Sequence, residues 1–321
     1  QNQKYNERGW ANSKIETYGL EVLNQNKKLN VIAKDQVILS SGAVSTPHLL
    51  QVSGIGSKDL INKINVEHIY ELPGVGENLQ DHLQIRTVYK VSNCKTVNTM
   101  YKNIFSRMMM GLEYLFFRTG PLTMPPSTLG AFTKSDESQK SANLEWHVQP
   151  LSLPKFGEDL HPFNAITPSV CNLRPTSRGY IHAKSSDPLE YPKIMCNYLS
   201  TQEDLDVAVS GLKKTRSIMK SNALKPFTPE EMLPGPNLNS ESELQNAARD
   251  LGTTIFHPVG TCAMGEVDVN GNAKDPMTVL DSECRLRGIS KLRVIDASVM
   301  PSITSGNTNA PVMLIAETIA K

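Results

Sequence analysis

The sequence predicts an α/β or α+β protein, because strand patterns in its middle are flanked by helix patterns. A short aliphatic run at 37–40 enters a glycine turn and then a helical pattern at 46–56. Apolar and polar residues alternate over 144–148, as in a half-buried strand. Two later segments, about 201–220 and 241–251, repeat apolar residues at helical spacing.

Capping residues predict where these two long helices begin and end. Ser200 with Glu203 is expected to form a capping box at the start of the first. Ser240 and Glu243 have the same spacing at the second, and Gly252 is expected to end it.

Three further elements complete the predicted fold. The segments 178–185 and 292–298 are typical of strands. The segment 309–321 predicts a helix with Asn309 as N-cap and Pro311 in the first turn.

Composition excludes several classes of function. The 321 residues are 39% hydrophobic and 20% charged, which is typical of a globular protein. A net charge of +1 gives no electrostatic basis for a nucleic-acid partner. Charged residues interrupt the most apolar run, 101–117, so no transmembrane segment is expected. Five cysteines without a CxxC motif indicate reduced thiols, and the polar start of the chain has no signal-peptide core, so we expect a cytoplasmic protein.

Several common catalytic motifs do not occur in these residues. There is no GxSxG, Walker loop or HExxH, and no spacing predicts a metal site. Glycine pairs at 54–56 and 74–76 could begin a dinucleotide-binding loop. Neither reaches a third glycine, because Asp59 and Leu79 stand at those positions, so both are interpreted as turns.

Four segments carry a family resemblance, namely 42–56, 72–82, 257–265 and 292–317. Together they resemble the glucose–methanol–choline (GMC) oxidoreductases, a family of flavin-dependent alcohol dehydrogenases and oxidases. Within that family, the sequence resembles the bacterial choline-dehydrogenase-like alcohol dehydrogenases. The resemblance implies part of an FAD-binding α/β domain, plus a substrate domain built on a mixed or antiparallel sheet with helices.

The resemblance also divides the chain. It implies the end of the FAD-binding half at 1–86, a substrate domain at 87–224 and a catalytic segment at 225–321, with the C-terminal module at roughly 173–315. The family's strand–GxGxxG–helix unit is not found in the 321 residues, which look like the C-terminal part of such an enzyme. That glycine loop is where backbone N–H groups meet the phosphates. We therefore expect a missing N-terminal half as a partner, and no tight FAD binding by these residues alone.

The implied reaction is FAD-dependent oxidation of the CH–OH group of a primary alcohol to an aldehyde, with hydride transfer to flavin N5. By resemblance His257 is the base, and an imidazole titrates near neutral pH. Pro258 restricts the backbone of His257 and so helps to orient the ring. The family's second catalytic position is Asn307, whose amide cannot accept a proton but can orient the hydroxyl and stabilise an alkoxide.

Cofactor contacts are implied by the same resemblance. A helix starting near Asn309 would direct its positive end at the flavin pyrimidine. A turn or helix-cap role is the alternative for Asp296. The expected FAD-binding residues are Gly42, Ala43, Asp296, Ala297, Asn307 and Thr308.

Several alternatives stay open at this point. The electron acceptor is expected to be something other than oxygen, but an oxidase that releases hydrogen peroxide and a non-catalytic remnant are both possible. His257 could instead be a core histidine, while His82 is expected to be structural and His147 could line the pocket. The substrate is a small alcohol, and choline is not favoured because strand alternation puts Glu145 and Trp146 on opposite faces.

Overall fold

A computed structural model describes residues 13, 15–25, 27–125, 127–155, 157–268 and 272–320. The polar start that argued against a leader, residues 1–12, lies outside the described residues. The described residues form seven α-helices: α1 Gly42–Val52, α2 Lys58–Lys63, α3 Val97–Lys102, α4 Ile104–Phe117, α5 Gln202–Met219, α6 Glu241–Leu251 and α7 Asn309–Ala320.

The strands of the described residues are mostly short. Three 3-10 helices accompany them, at Pro121–Thr123, Lys225–Phe227 and Ala297–Val299. The strands are β1 Ile15–Glu16, β2 Gly19–Asn24, β3 Lys27–Ile32, β4 Val37–Leu39, β5 Ile55–Gly56, β6 Tyr70–Glu71, β7 Leu83–Arg86, β8 Val88–Lys90, β9 Leu129–Thr133, β10 Leu144–Gln149, β11 Ala165–Asn172, β12 Tyr180–His182, β13 Lys193–Met195, β14 Glu230–Leu233, β15 Gly252–Thr254, β16 Ile289–Ser290 and β17 Leu292–Val294.

The predicted α/β class is confirmed, and the chain packs into two compact units. Unit 1 combines 1–81, 177–198 and 256–321, while unit 2 combines 82–176 and 199–255.

These units do not coincide with the domain ranges expected from the sequence. The units assign 177–198 to unit 1 and 199–255 to unit 2. The predicted domains, with boundaries at 86/87 and 224/225, are defined by function and stay predictions.

Unit 1 is built around short parallel strand pairs. β4 pairs with β17, so that Val37 lies opposite Leu292 and Leu39 opposite Val294, and all four side chains are buried. A continuous aliphatic run is typical of parallel strands that are covered on both faces, but here Ile38, on the other face of β4, is exposed. The helix after β4 begins at Gly42, four residues before the predicted start, and includes Pro47.

Unit 2 contains one antiparallel sheet of seven strands. Its main order is β14–β8–β11–β10–β9, with β7 paired to β11 and β15 paired to β7. Helices α5 and α6 cover one face, and the core between them and the sheet includes Leu144, Trp146, Val170, Leu212 and Leu244. The side chains of β10 alternate between the two faces as predicted, with Trp146 on the helix-covered face. The strand is not half-buried as expected, because Glu145 on the other face is buried too.

Helix caps test the local sequence signals. The capping box of Ser240 and Glu243 is formed as predicted, and Gly252 follows α6. At α5 the expected box of Ser200 and Glu203 is wrong by one residue, since Thr201 caps the helix and accepts a hydrogen bond from the backbone N–H of Asp204.

The last helix begins at Asn309 rather than after it. The carbonyl of Thr308 accepts the N–H of Val312, as a capping position does. Among the described helices, none has the length and apolar character needed to cross a membrane.

Candidate functional site

The Asp296 carboxylate joins the end of the β4–β17 pair to the start of α1. Its Oδ2 accepts the backbone N–H of Gly42 at 2.9 Å and the hydroxyl of Thr46 at 2.6 Å. Its Oδ1 accepts the N–H and the hydroxyl of Ser298 at 2.8 and 2.6 Å. A buried carboxylate at a helix N-terminus is stabilised by the helix dipole. Asp296 therefore has the capping role that was the alternative for it, and its hydrogen bonds hold Gly42 next to the 296–298 turn.

The segment after His257 packs against both of these elements. Pro47 has no N–H, so the carbonyl of Ala43 lacks the usual donor four residues later. The hydroxyl of Thr261 donates to that carbonyl instead, at 2.6 Å. One residue on, the N–H of Cys262 donates to the carbonyl of Ser298 at 2.9 Å. Motifs that lie more than 200 residues apart in the sequence therefore meet in unit 1.

His257 itself is held through its backbone. Its N–H donates to Oδ1 of Asp81 at 2.8 Å, and the Tyr198 hydroxyl donates a short hydrogen bond to Oδ2. Burial and the charge of Asp81 raise the pKa of Tyr198, so the phenol stays protonated and remains a donor. Sequence reasoning missed Asp81 and Tyr198, although an acidic residue directly before His82 was a possible signal.

The backbone on either side of His257 is constrained as well. Phe256 has a φ of 63°, in the left-handed region that bulky residues avoid at a cost of about 1–2 kcal/mol. Two residues after the histidine, Val259 exchanges backbone hydrogen bonds with Gln80 at 2.9 and 3.0 Å. The contacts to Gln80 and Asp81 bracket the histidine and hold the strained turn in place.

The same 78–81 segment holds the loop that leads to Asn307. Gln80 accepts the N–H of Ile303 at 3.2 Å and donates its amide to the carbonyl of Pro301 at 3.2 Å. Asn78 also donates to Pro301, at 3.2 Å. Asn307 is exposed, and its amide forms no hydrogen bond with any described residue. The two predicted catalytic loops are thus anchored to one shared segment.

Glycine environments show where a bound group could lie. A Cβ at Gly42 would meet nothing within 4 Å, although its φ is +84°. A Cβ at Gly54, Gly74 or Gly76 would come within 2.3 Å of a backbone carbonyl oxygen. Gly54, Gly74 and Gly76 therefore pack against the chain in turns, as predicted, whereas Gly56 belongs to strand β5 rather than to a turn. The open side of Gly42 at the start of α1 fits a group lying against the backbone, as FAD would.

Two further side chains have structural surroundings, and a structural role was predicted for one of them, His82. His82 is fully buried and its Nε2 lies 3.2 Å from the carbonyl oxygen of Leu173, which is the structural contact expected of it. Cys262 is fully buried in the unit 1 core, and burial together with the Asp296 charge raises the pKa of its thiol. A protonated thiol is a poor nucleophile.

In unit 2 the predicted separation of Glu145 and Trp146 is present. The indole N–H of Trp146 donates to the hydroxyl of Thr215 on α5 at 2.8 Å. Glu145 lies on the other face of the sheet with His147 and Cys171.

Comparison with known proteins finds one family. Two family models, both described as GMC oxidoreductase, match residues 11–84 and 175–316. The chain is 38% identical over 299 residues to an alcohol dehydrogenase (acceptor) of Pseudomonas putida, covering 93% of this chain and 52% of that protein. It is 35% identical over 295 residues to an oxygen-dependent choline dehydrogenase of Pseudomonas syringae, covering 91% and 50%. The chain spans about half the length of the curated relatives it matches.

Solved structures give the same result. A pyridoxine 4-oxidase from Mesorbium loti is similar with a TM-score of 0.77 at 28% identity, over 96% of this chain and 55% of that one. A formate oxidase from Aspergillus oryzae, studied for its FAD modification, is similar with a TM-score of 0.83 at 25% identity, over 95% and 57%.

Proposed function

The chain belongs to the GMC oxidoreductase family, and from that premise we propose that the complete protein is an FAD-dependent oxidoreductase. It oxidises the CH–OH group of a primary alcohol to an aldehyde and passes the electrons to an acceptor other than oxygen. The alcohol dehydrogenase (acceptor) of Pseudomonas putida supports this choice of reaction and acceptor.

The anchoring of the His257 loop is the observation that carries the proposal. An alcohol loses a hydroxyl proton and a hydride when it becomes a carbonyl, so a positioned base is needed. The N–H of His257 is held by Asp81 and the following turn by Gln80, while the residue stays half-buried and accessible. His257 accepts the proton in this mechanism. Asn307, whose amide has no partner among the described residues, orients the hydroxyl and stabilises the developing alkoxide.

The residues proposed to hold FAD are those implied by the resemblance. When bound, FAD would supply the hydride acceptor. The open side of Gly42 leaves room for it, and the exposed Asn307 and the start of α7 present polar groups nearby in sequence. The Asp296 carboxylate already accepts hydrogen bonds from Gly42 at the start of α1 and from Ser298. We therefore assign the contact of Asp296 with the cofactor to its backbone atoms. Ala43, Ala297 and Thr308 are proposed to contact FAD as well.

Exposed apolar surface supports a missing N-terminal half. In unit 1 the hairpin of β2 and β3, strand β4 and helix α7 expose large side chains, including Val31 (55%), Ile38 (50%) and Leu314 (68%). Side chains of this kind, repeated over several elements, are typical of surfaces that another segment covers. We assign that role to the segment that carries the family's phosphate-binding loop.

A second candidate is an oxidase that uses oxygen and releases hydrogen peroxide. It is favoured by the similarity to an oxygen-dependent choline dehydrogenase and to two oxidases of known structure. Peroxide formation by the complete protein under air, in the presence of an alcohol, distinguishes the two. A third candidate is a truncated, non-catalytic remnant that cannot bind FAD alone, and it predicts that the purified chain shows no flavin absorbance and no alcohol oxidation.

The test is a kinetic comparison of His257→Ala and Asn307→Ala in the complete protein. His257→Ala is expected to slow flavin reduction about 10²-fold or more, with a smaller change in substrate affinity. The wild-type rate should rise with pH as the imidazole loses its proton, and this limb should flatten in His257→Ala but persist in Asn307→Ala. His182→Gln, which changes a histidine paired with Glu77, serves as the matched control. A His257→Ala enzyme with wild-type reduction rates and pH profile would show that the base lies elsewhere.

A further inference from the structure

Three potential metal ligands meet on the face of the unit 2 sheet opposite the helices α5 and α6. In the β10–β11 register Glu145 pairs with Cys171, and His147 pairs with Ser169. Residues two apart on a strand and residues paired across strands point to the same face. The backbone therefore places a carboxylate, an imidazole and a thiol side by side.

Their separations suit a small divalent ion. Nε2 of His147 lies 3.4 Å from Oε1 of Glu145, and Sγ of Cys171 lies 4.0 Å from Oε2 of Glu145. All three ligand atoms lie within 4.8 Å of one another. Tetrahedral zinc, with bonds of about 2.0–2.3 Å, separates its ligand atoms by about 3.3–3.7 Å. Side-chain adjustments of about 1 Å or less would bring the set to that geometry.

Two polar atoms at this site are buried without a hydrogen bond, although one of them, Nε2 of His147, lies beside the Glu145 carboxylate. Nε2 of His147 and Oγ of Ser169 make no hydrogen bond within the described part of the chain. Buried polar atoms nearly always have a partner, and an exception points to an ion or a water at that position. Glu145 and Cys171 are 4% and 1% exposed, so the carboxylate is also largely removed from water. The His147 side chain is 18% exposed, so an ion can reach the cluster from solvent past this residue.

We propose that Glu145, His147 and Cys171 bind one Zn²⁺ ion, with a water molecule near Ser169 as the fourth ligand. As the S–Zn bond forms, Cys171 loses its thiol proton to solvent, and no electrons are transferred. The thiolate and the carboxylate together balance the two positive charges of the ion. Arg86 on β7 pairs with Ser169, so its positive side chain lies on the same face as this cluster. Its Nη2 lies 3.5 Å from Oε1 of Gln149.

Zinc binding by these three residues does not depend on the proposed oxidoreductase function. The sequence predicted no metal site, because the ligands come from two strands and do not share a motif. Mixed nitrogen, sulfur and oxygen ligands favour Zn²⁺ over Mg²⁺ or Ca²⁺, which take oxygen ligands.

Metal binding is measured directly on the purified reduced chain. Competition with a chromogenic chelator is expected to show one Zn²⁺ per chain, and calorimetry in two buffers should show the release of about one proton. With Co²⁺ as the probe, a thiolate-to-cobalt charge-transfer band and intense visible bands would report a tetrahedral site with one sulfur ligand. Absence of a tight Zn²⁺ stoichiometry, or a cobalt spectrum without the thiolate band, would overturn the proposal.

Variants identify the ligands. Cys171→Ser and His147→Gln are each expected to weaken Zn²⁺ binding by at least about 100-fold, because even outer partners of metal sites contribute 10–100-fold. Two controls, Cys196→Ser and His182→Gln, alter a thiol and a carboxylate-paired histidine outside the cluster and should change affinity less than about twofold. Binding that survives Cys171→Ser, or that is lost in Cys196→Ser, contradicts the assignment. If the Cys171 variant does not fold, His147→Gln still tests the site, and a cobalt thiolate band that is lost in Cys196→Ser or Cys94→Ser would contradict the assignment of Cys171.

Discussion

Asp81 offers the sharpest test of how the His257 loop is held. Its buried carboxylate, 6% exposed, accepts the N–H of His257 and the hydroxyl of Tyr198. In Asp81→Asn the amide oxygen can accept only one of these donors, and the amide N–H₂ group faces the other. A hydrogen bond to a charged group contributes about 1.5–3 kcal/mol, so the free energy of unfolding should fall by about 2–3 kcal/mol.

Thermal unfolding measures this loss. At about 2–4 °C per kcal/mol for a unit of this size, the melting temperature should fall by about 5–10 °C. Asp187→Asn is the matched control, because Asp187 also accepts a backbone N–H, from Leu189 at 2.9 Å, but is exposed. The control should change stability by less than about 0.5 kcal/mol.

A double-mutant cycle separates the Tyr198 bond from the His257 bond. Asp81→Ala and Tyr198→Phe should be coupled by about 1 kcal/mol or more, since the two groups touch. In the complete protein, Asp81→Asn should also slow flavin reduction by about 10- to 100-fold through displacement of His257. Equal melting temperatures for Asp81→Asn and Asp187→Asn would refute the view that this carboxylate anchors the loop.

Two further predictions concern FAD binding and pH. The 321 residues, expressed by themselves, should purify without stoichiometric FAD because they contain no GxGxxG loop, and a yellow protein with one flavin per chain would contradict this. Burial and the charge of Asp281 raise the pKa of Cys284 to about 11. This thiol therefore contributes stability that is fully present below about pH 8.5, the pKa in the unfolded chain, and is lost as the pH rises towards 11, at up to about 1.4 kcal/mol per pH unit. Urea unfolding at pH 8 to 11 should show a shallower decline for Cys284→Ser, and identical slopes would exclude Cys284 as the cause.

Helix signals that depend on neighbouring residues could be predicted from the sequence. The capping box of Ser240 and Glu243 closes within one turn, so both partners are visible in a short stretch. The cap of α5 was misplaced because Ser200 and Thr201 are both good caps. Asp204 resolves the choice, since its carboxylate accepts the backbone N–H of Thr176 at 2.9 Å and is buried there. A contact across 28 residues, not local preference, selects the register.

The candidate functional site also has one part that the sequence predicted and one part that only the fold shows. Motifs in the sequence predicted His257, Asn307 and the segment around Gly42, because each motif keeps its residues in order along the chain. Asp81 is 176 residues from His257, and only the folded backbone brings its carboxylate to that N–H.

The strands of unit 2 show the same difference between what the sequence predicts and what the fold decides. Alternation along β10 is enough to place Glu145 and His147 on one face, away from Trp146. That Cys171 joins them depends on the pairing of β10 with β11, because a shift of one residue would turn its thiol to the other face. The sequence by itself thus determined the long helices, the family and the capping box of α6, since these depend on spacing within a few turns or within a motif. Tertiary structure decided which distant side chains share a buried space, because strand register and the burial of polar groups are settled only when the whole unit packs.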